Sequence, residues 1–151
     1  MRFRVAVWAE FPLAAAVLLL GLLALSVVQG REEAVASMSP LAAAPLWLVG
    51  AVGLAVPILE VLVWSVLFVE PAARWLNAPA LGALAGVAAY SVLYHHRGGS
   101  WAIVDSAWVG GVVNTAYVMA RRRSMVRALW FAVGLRWCFV AVAMAAVRGW
   151  I

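Results

Sequence analysis

The chain carries little charge, one cysteine and no lysine. Only 11% of its 151 residues are Asp, Glu, Lys or Arg, while 68% are hydrophobic. Soluble domains hold about 25% charged and about 45–50% apolar residues, so an ordinary soluble domain is excluded. The single cysteine, Cys138, rules out an internal disulfide and provides no metal-ligand spacing. In its apolar stretch it reads as a small core residue. All eleven basic residues are arginine, and the pI near 10.7 by itself would suit a nucleic-acid binder. Such binders need a continuous basic face in polar surroundings, and none is present, so no nucleic-acid partner is expected. Haem-attachment, Walker, HExxH, GxSxG and paired CxxC patterns are also missing, as is the Gly-x-Ser-Gly of rhomboid-type proteases. No cofactor is therefore expected.

Long apolar runs are what the sequence has in quantity. A helix needs about 20 apolar residues to cross a bilayer, and five segments approach this: about 6–28, 45–69, 77–94, 100–120 and 125–147. A cleaved signal peptide is the rival reading of the first, given the basic "MRFR" and the "AVA" at 34–36. The apolar run is too long for that, and "REE" intervenes, so the segment reads as a retained span. Pro45 suits a first helical turn. Gly82 and Gly86 form a GxxxG that permits close helix approach. The fourth segment is the least hydrophobic, with Asp105, Asn114 and the pair Gly110–Gly111. Connections are short, which predicts antiparallel neighbours. Residues 1–151 thus read as a single integral membrane domain, an all-α polytopic transmembrane helix bundle of about five spans, with four as the competing count.

Orientation follows from the arginines, which favour the cytoplasmic side. With the N-terminus cytoplasmic, that side holds Arg2, Arg4, Arg74, Arg121, Arg122, Arg123 and Arg127, against Arg31, Arg97 and Arg148 outside. Trp8 and Trp75 then fall near the inner interface, and Trp47, Trp101 and Trp150 near the outer one. The expected location is a bacterial-type inner membrane, multi-pass, with the lipid bilayer as partner and another membrane protein as an open second one.

Polar residues inside the spans are functional candidates, because burying them in lipid is costly. Glu60 lies about 14 Å from the inner end of its span, Arg136 about 16 Å and Asn114 about 9 Å, at about 1.5 Å per residue. The matched depth of Glu60 and Arg136 predicts an ion pair that Asn114 joins, although Arg136 could instead snorkel to an interface. Three residues before Glu60, Pro57 deprives the Gly53 carbonyl of its helical donor, which opens a place for polar groups or water. A second group, His95, His96 and Asp105, lies near the outer face, with Glu32 and Glu33 in the preceding outer loop. Histidine and carboxylate suit metal binding or acid–base catalysis; the bland alternative is interfacial histidines beside a water-facing aspartate.

"LEVLVWS", 59–65, resembles the Glu-Glu-x-x-x-Arg-Gly helix of the CAAX-protease/bacteriocin-processing family (CPBP or Abi), intramembrane glutamic proteases. "SVLYHH", 91–96, resembles that family's Phe-x-x-x-His segment, and "WVGGVVNTAYVMARRRS", 108–124, its glycine-rich helix and basic turn. The resemblance covers about residues 55–140. It implies Glu60 and His95 or His96 as catalytic residues, with glutamate activating water. The sequence departs from the pattern at Leu59 and Trp64, which stand at the first glutamate and the arginine. Ser91 (or Val92, if His96 is the histidine) stands at the aromatic position, and the last helix has no His-x-x-x-Asn.

Three functions stay open on these residues. The leading one is a non-catalytic or catalytically degenerate subunit or helper with an intramembrane polar cluster of Glu60, Asn114 and Arg136. The others are a CPBP-like intramembrane protease and a small transporter or ion-conducting subunit.

Overall fold

A computed structural model describes residues 3–29, 44–94 and 99–148. All its regular elements are helical. They are α1 (Phe3–Gln29), α2 (Leu46–Glu60), π1 (Val61–Val69), α3 (Glu70–Trp75), α4 (Pro79–Ala88), π2 (Ala89–Tyr94), α5 (Gly99–Arg121) and α6 (Met125–Val147). α2, π1 and α3 run on as one rod, and π2 continues α4, so the elements make five rods.

Three rods are long and apolar enough to cross a membrane: Glu10–Val28, Leu46–Trp75 and Met125–Ala146. The α4–π2 rod is apolar but shorter, over Pro79–Leu93. α5 has the length, but Asp105, Ser106, Asn114 and Thr115 lower its apolarity.

The tight reversal between α3 and α4 is written locally. Asn77 takes φ 48°, a left-handed conformation that asparagine tolerates. The Ala78 N–H donates to the Ala73 carbonyl (3.1 Å) and the Asn77 N–H to that of Arg74 (3.2 Å), the two bonds of a Schellman ending. Pro79 then opens α4 at a position that needs no N–H donor. The returning rod packs closely because α4 presents glycine. A Cβ on Gly82 would lie 2.6 Å from the Ala73 Cβ and 2.8 Å from the Val69 carbonyl oxygen, and one on Gly86 2.4 Å from Val69 Cγ2.

α5 is the hub of the bundle and touches α1, α4, π2 and α6. Its Val109, Val113, Ala116 and Tyr117 meet Ala128, Ala132, Val133 and Leu135 of α6, Leu18 of α1 and Val61 and Val69 of π1 in the core. α1 lies at the edge, held by Phe11 edge-on to Phe131 (5.2 Å between rings) and by Trp108 seated over Gly21. Large apolar side chains elsewhere on α1 point outward, among them Leu13, Leu20, Leu23 and Val27. Apolar surface of that extent requires lipid or another protein to cover it.

Candidate functional site

π1 begins at the residue after Glu60, three residues past the buried Pro57. π-turns are rare and are frequently found at functional sites; here one follows a proline that already weakens the α-helical ladder. The indole N–H of Trp137 donates to the Leu54 carbonyl at 3.2 Å, so a side chain from α6 meets the α2 backbone one residue from Gly53. The wider winding also turns Ser65 toward the bundle. Residues five apart on an α-helix point about 140° from each other, whereas a π-turn bonds i to i+5 and brings Ser65 round beneath Glu60.

Glu60 and Arg136 form an ion pair through Arg136 Nη2, with side chains 10% and 7% exposed. The guanidinium carbon also lies 5.1 Å from the ring centre of Tyr90 and 5.4 Å from that of Phe139. A desolvated cation over an aromatic face gains about 2 kcal/mol, so the charge is held by one carboxylate and two rings. Asn114, 2% exposed, accepts a 2.9 Å hydrogen bond at Oδ1 from the Ser65 hydroxyl. Its amide fits beside α4 because Gly86 has no side chain: a Cβ there would lie 3.0 Å from Asn114 Nδ2. Glu60, Ser65, Tyr90, Asn114 and Arg136, with Val61, Trp64, Val113 and Gly110, line a small, partly open cavity of ≈ 20 Å³. That is room for about one water. Arg136 Nη1 is buried and has no hydrogen-bond acceptor among the described residues, so a polar occupant of this space would meet a waiting donor.

The structure therefore brings Glu60, Asn114 and Arg136 to one cavity. Trp64, named above only as a departure from the family pattern, lines it too, and Ser65 and Tyr90 complete it without having been singled out in the sequence. Serine and tyrosine are unremarkable in an apolar helix, and only the π winding shows which way they point. Asp105 is half-buried on α5 and makes no hydrogen bond or ion pair among the described residues. His95 and His96 lie outside the described residues, as do Glu32 and Glu33. No group of three or more metal-ligating side chains occurs among those described.

A second polar centre, not anticipated from the sequence, sits at the end of the bundle that carries "RRR". Glu70 accepts from the Tyr117 hydroxyl (2.9 Å) and from Arg121 Nε (2.6 Å), and pairs at 3.5 Å with Arg74. Tyr117 is fully buried. Its i,i+4 spacing to Arg121 puts both on one face of α5, a signal that could have located the site once Glu70 was placed at the same level. Beside it, Glu10 is held by both terminal nitrogens of Arg123 at 2.9 Å each.

No protein-family model, curated protein or solved structure matches this chain.

Proposed function

We propose that the chain is a five-span inner-membrane protein with a cytoplasmic N-terminus, acting as a non-catalytic helper or subunit of another membrane protein. The observation that carries this reading is that Glu60 is already occupied. Its carboxylate is bound by Arg136 inside a cavity that holds about one water. A glutamic protease needs that carboxylate free to activate water and needs room beside it for a peptide. A closed, matched pair does something else: it fixes the rotation of α2–π1 against α6, because one buried charge without the other is strongly unfavourable. The apolar area left on the outside of the bundle suits the bilayer in which such a partner would sit.

The protease reading, with Glu60 and His95 or His96, is the competitor, and one experiment separates the two. Glu60→Gln and the double variant Glu60→Gln/Arg136→Gln are expressed in the native membrane, extracted in mild detergent and purified by affinity. A helper is expected to bring down the same membrane partner as a wild-type chain when the double variant is used, since the neutral pair still packs. A protease is expected to lose substrate cleavage with Glu60→Gln alone while its thermal stability is unchanged. That second result would overturn the helper reading.

A further inference from the structure

A groove of ≈ 450 Å³ runs between α1 and α5, outside the site described above. Leu13, Ala14 and Val17 form one wall, Gly111, Thr115 and Met119 the other, and Trp108 closes the far end. The Trp108 ring is fixed there. A Cβ on Gly21 would fall within 2.0 Å of it, and its Nε1 donates to the Leu18 carbonyl at 3.1 Å. At the other end stand Glu10, clamped by Arg123, and Phe131. Arg127 precedes Phe131 by one helical turn on the same face of α6, Arg122 follows the groove residue Met119 by three positions, and both arginines are exposed, with no acceptor among the described residues. Glu10 does not cancel this charge, because both its oxygens are already engaged by Arg123.

We propose that this groove holds one acyl chain of an anionic phospholipid whose phosphate is drawn to Arg122 and Arg127. The shape supports a chain rather than a helix. From Ala107 to Ala120 the groove runs about 20 Å along α5 at about 1.5 Å per residue, and with a water's radius added at each wall its volume corresponds to a channel about 8 Å across. A helix with side chains is about 10–12 Å across. The chemistry requires the headgroup: an acyl chain moving from lipid into the groove exchanges one hydrocarbon environment for another and gains no hydrophobic free energy. Preference therefore comes from the arginines, each adding about fivefold to the affinity for an anionic surface. The proposal rests on the membrane reading alone and is independent of whether the chain is a helper.

The test uses the full-length protein in detergent, native mass spectrometry, and added phosphatidylglycerol or phosphatidylcholine. The wild type is expected to retain a single phosphatidylglycerol under conditions that strip phosphatidylcholine. Arg122→Gln/Arg127→Gln should lower that preference by on the order of tenfold or more. Gly111→Leu should abolish retention, since a Cβ at Gly111 meets nothing within 4 Å and the new side chain would enter the groove. A wild type that retains both lipids equally would overturn the proposal. So would a Gly111→Leu variant with unchanged helicity and melting that keeps its lipid, or one that loses a dimer instead. Photo-crosslinking of the unmodified protein with a diazirine-tailed phosphatidylglycerol needs no variant. Label on 13–17 and 111–119 supports the groove, and label spread evenly over all rods sinks it.

Discussion

Arg136 is paired with Glu60 across 76 positions of chain, and both side chains are about nine-tenths buried. The pair joins two rods that have no connection in sequence. The Tyr90 and Phe139 rings flank the guanidinium, so three rods in all meet through its charge.

Removing one member of this pair leaves the other buried and uncompensated. Glu60→Gln and Arg136→Gln are each expected to cost about 3–5 kcal/mol, and the double variant less than the sum. Thermal and denaturant unfolding in detergent would measure the cycle, and strict additivity would show that the two residues act separately. Arg136→Lys should recover only part of the loss, because an ammonium lacks the planar face that lies over two rings.

The glycines of α4 give a graded packing series. Gly82→Ala forces a methyl to within 2.8 Å of backbone atoms of Val69 and Ala73, and Gly86→Ala meets only side chains, Val69 and Asn114. Both should destabilise by about 1–3 kcal/mol, with Gly82→Ala the worse because backbone yields less than a rotamer. Gly50→Ala, which meets nothing within 4 Å, is the control. It should be neutral or stabilising by about 0.5–1 kcal/mol. Unfolding midpoints of the three variants would rank them, and equal midpoints would refute the close approach.

Tyr117 spends its hydroxyl on Glu70 from a fully buried position. Tyr117→Phe removes a hydrogen bond to a charged acceptor and should cost about 1.5–3 kcal/mol. Arg74→Gln, whose 3.5 Å contact is largely exposed, should cost less than about 1 kcal/mol. Hydrogen exchange along α3 and the end of α5 would report both changes locally, and a null effect of Tyr117→Phe would dismiss this centre as incidental.

The five-span proposal has its own reading. A reporter active only outside the cytoplasm, fused after Ile151, is expected to be active, and one fused between Arg123 and Ser124 silent. Silence at the C-terminus would mean an even number of spans.

Much of the fold was legible because helices are local. Apolar runs near the length of a bilayer, Pro45 at a helix start and Gly82 and Gly86 at four-residue spacing act through neighbours in the chain. The sequence boundaries of about 77–94 and 100–120 accordingly fall close to Pro79–Tyr94 and Gly99–Arg121. Counting residues from each end put Glu60, Asn114 and Arg136 within reach of one another, although the rod that carries Glu60 runs on to Trp75, past the boundary of about 69 from which its depth was counted. Rotation about the rod is different. Whether Ser65 faces Asn114 or lipid depends on the π winding after Glu60, and whether Arg136 meets Tyr90 depends on how α6 and π2 lean together. The groove between α1 and α5 likewise ends where Trp108 rests on Gly21, 87 positions away in the sequence. Composition and spacing determined which segments become helices and at what level their polar groups lie. Tertiary packing decided the azimuth of each side chain, because that angle is fixed by contacts between rods and by no property of a rod alone.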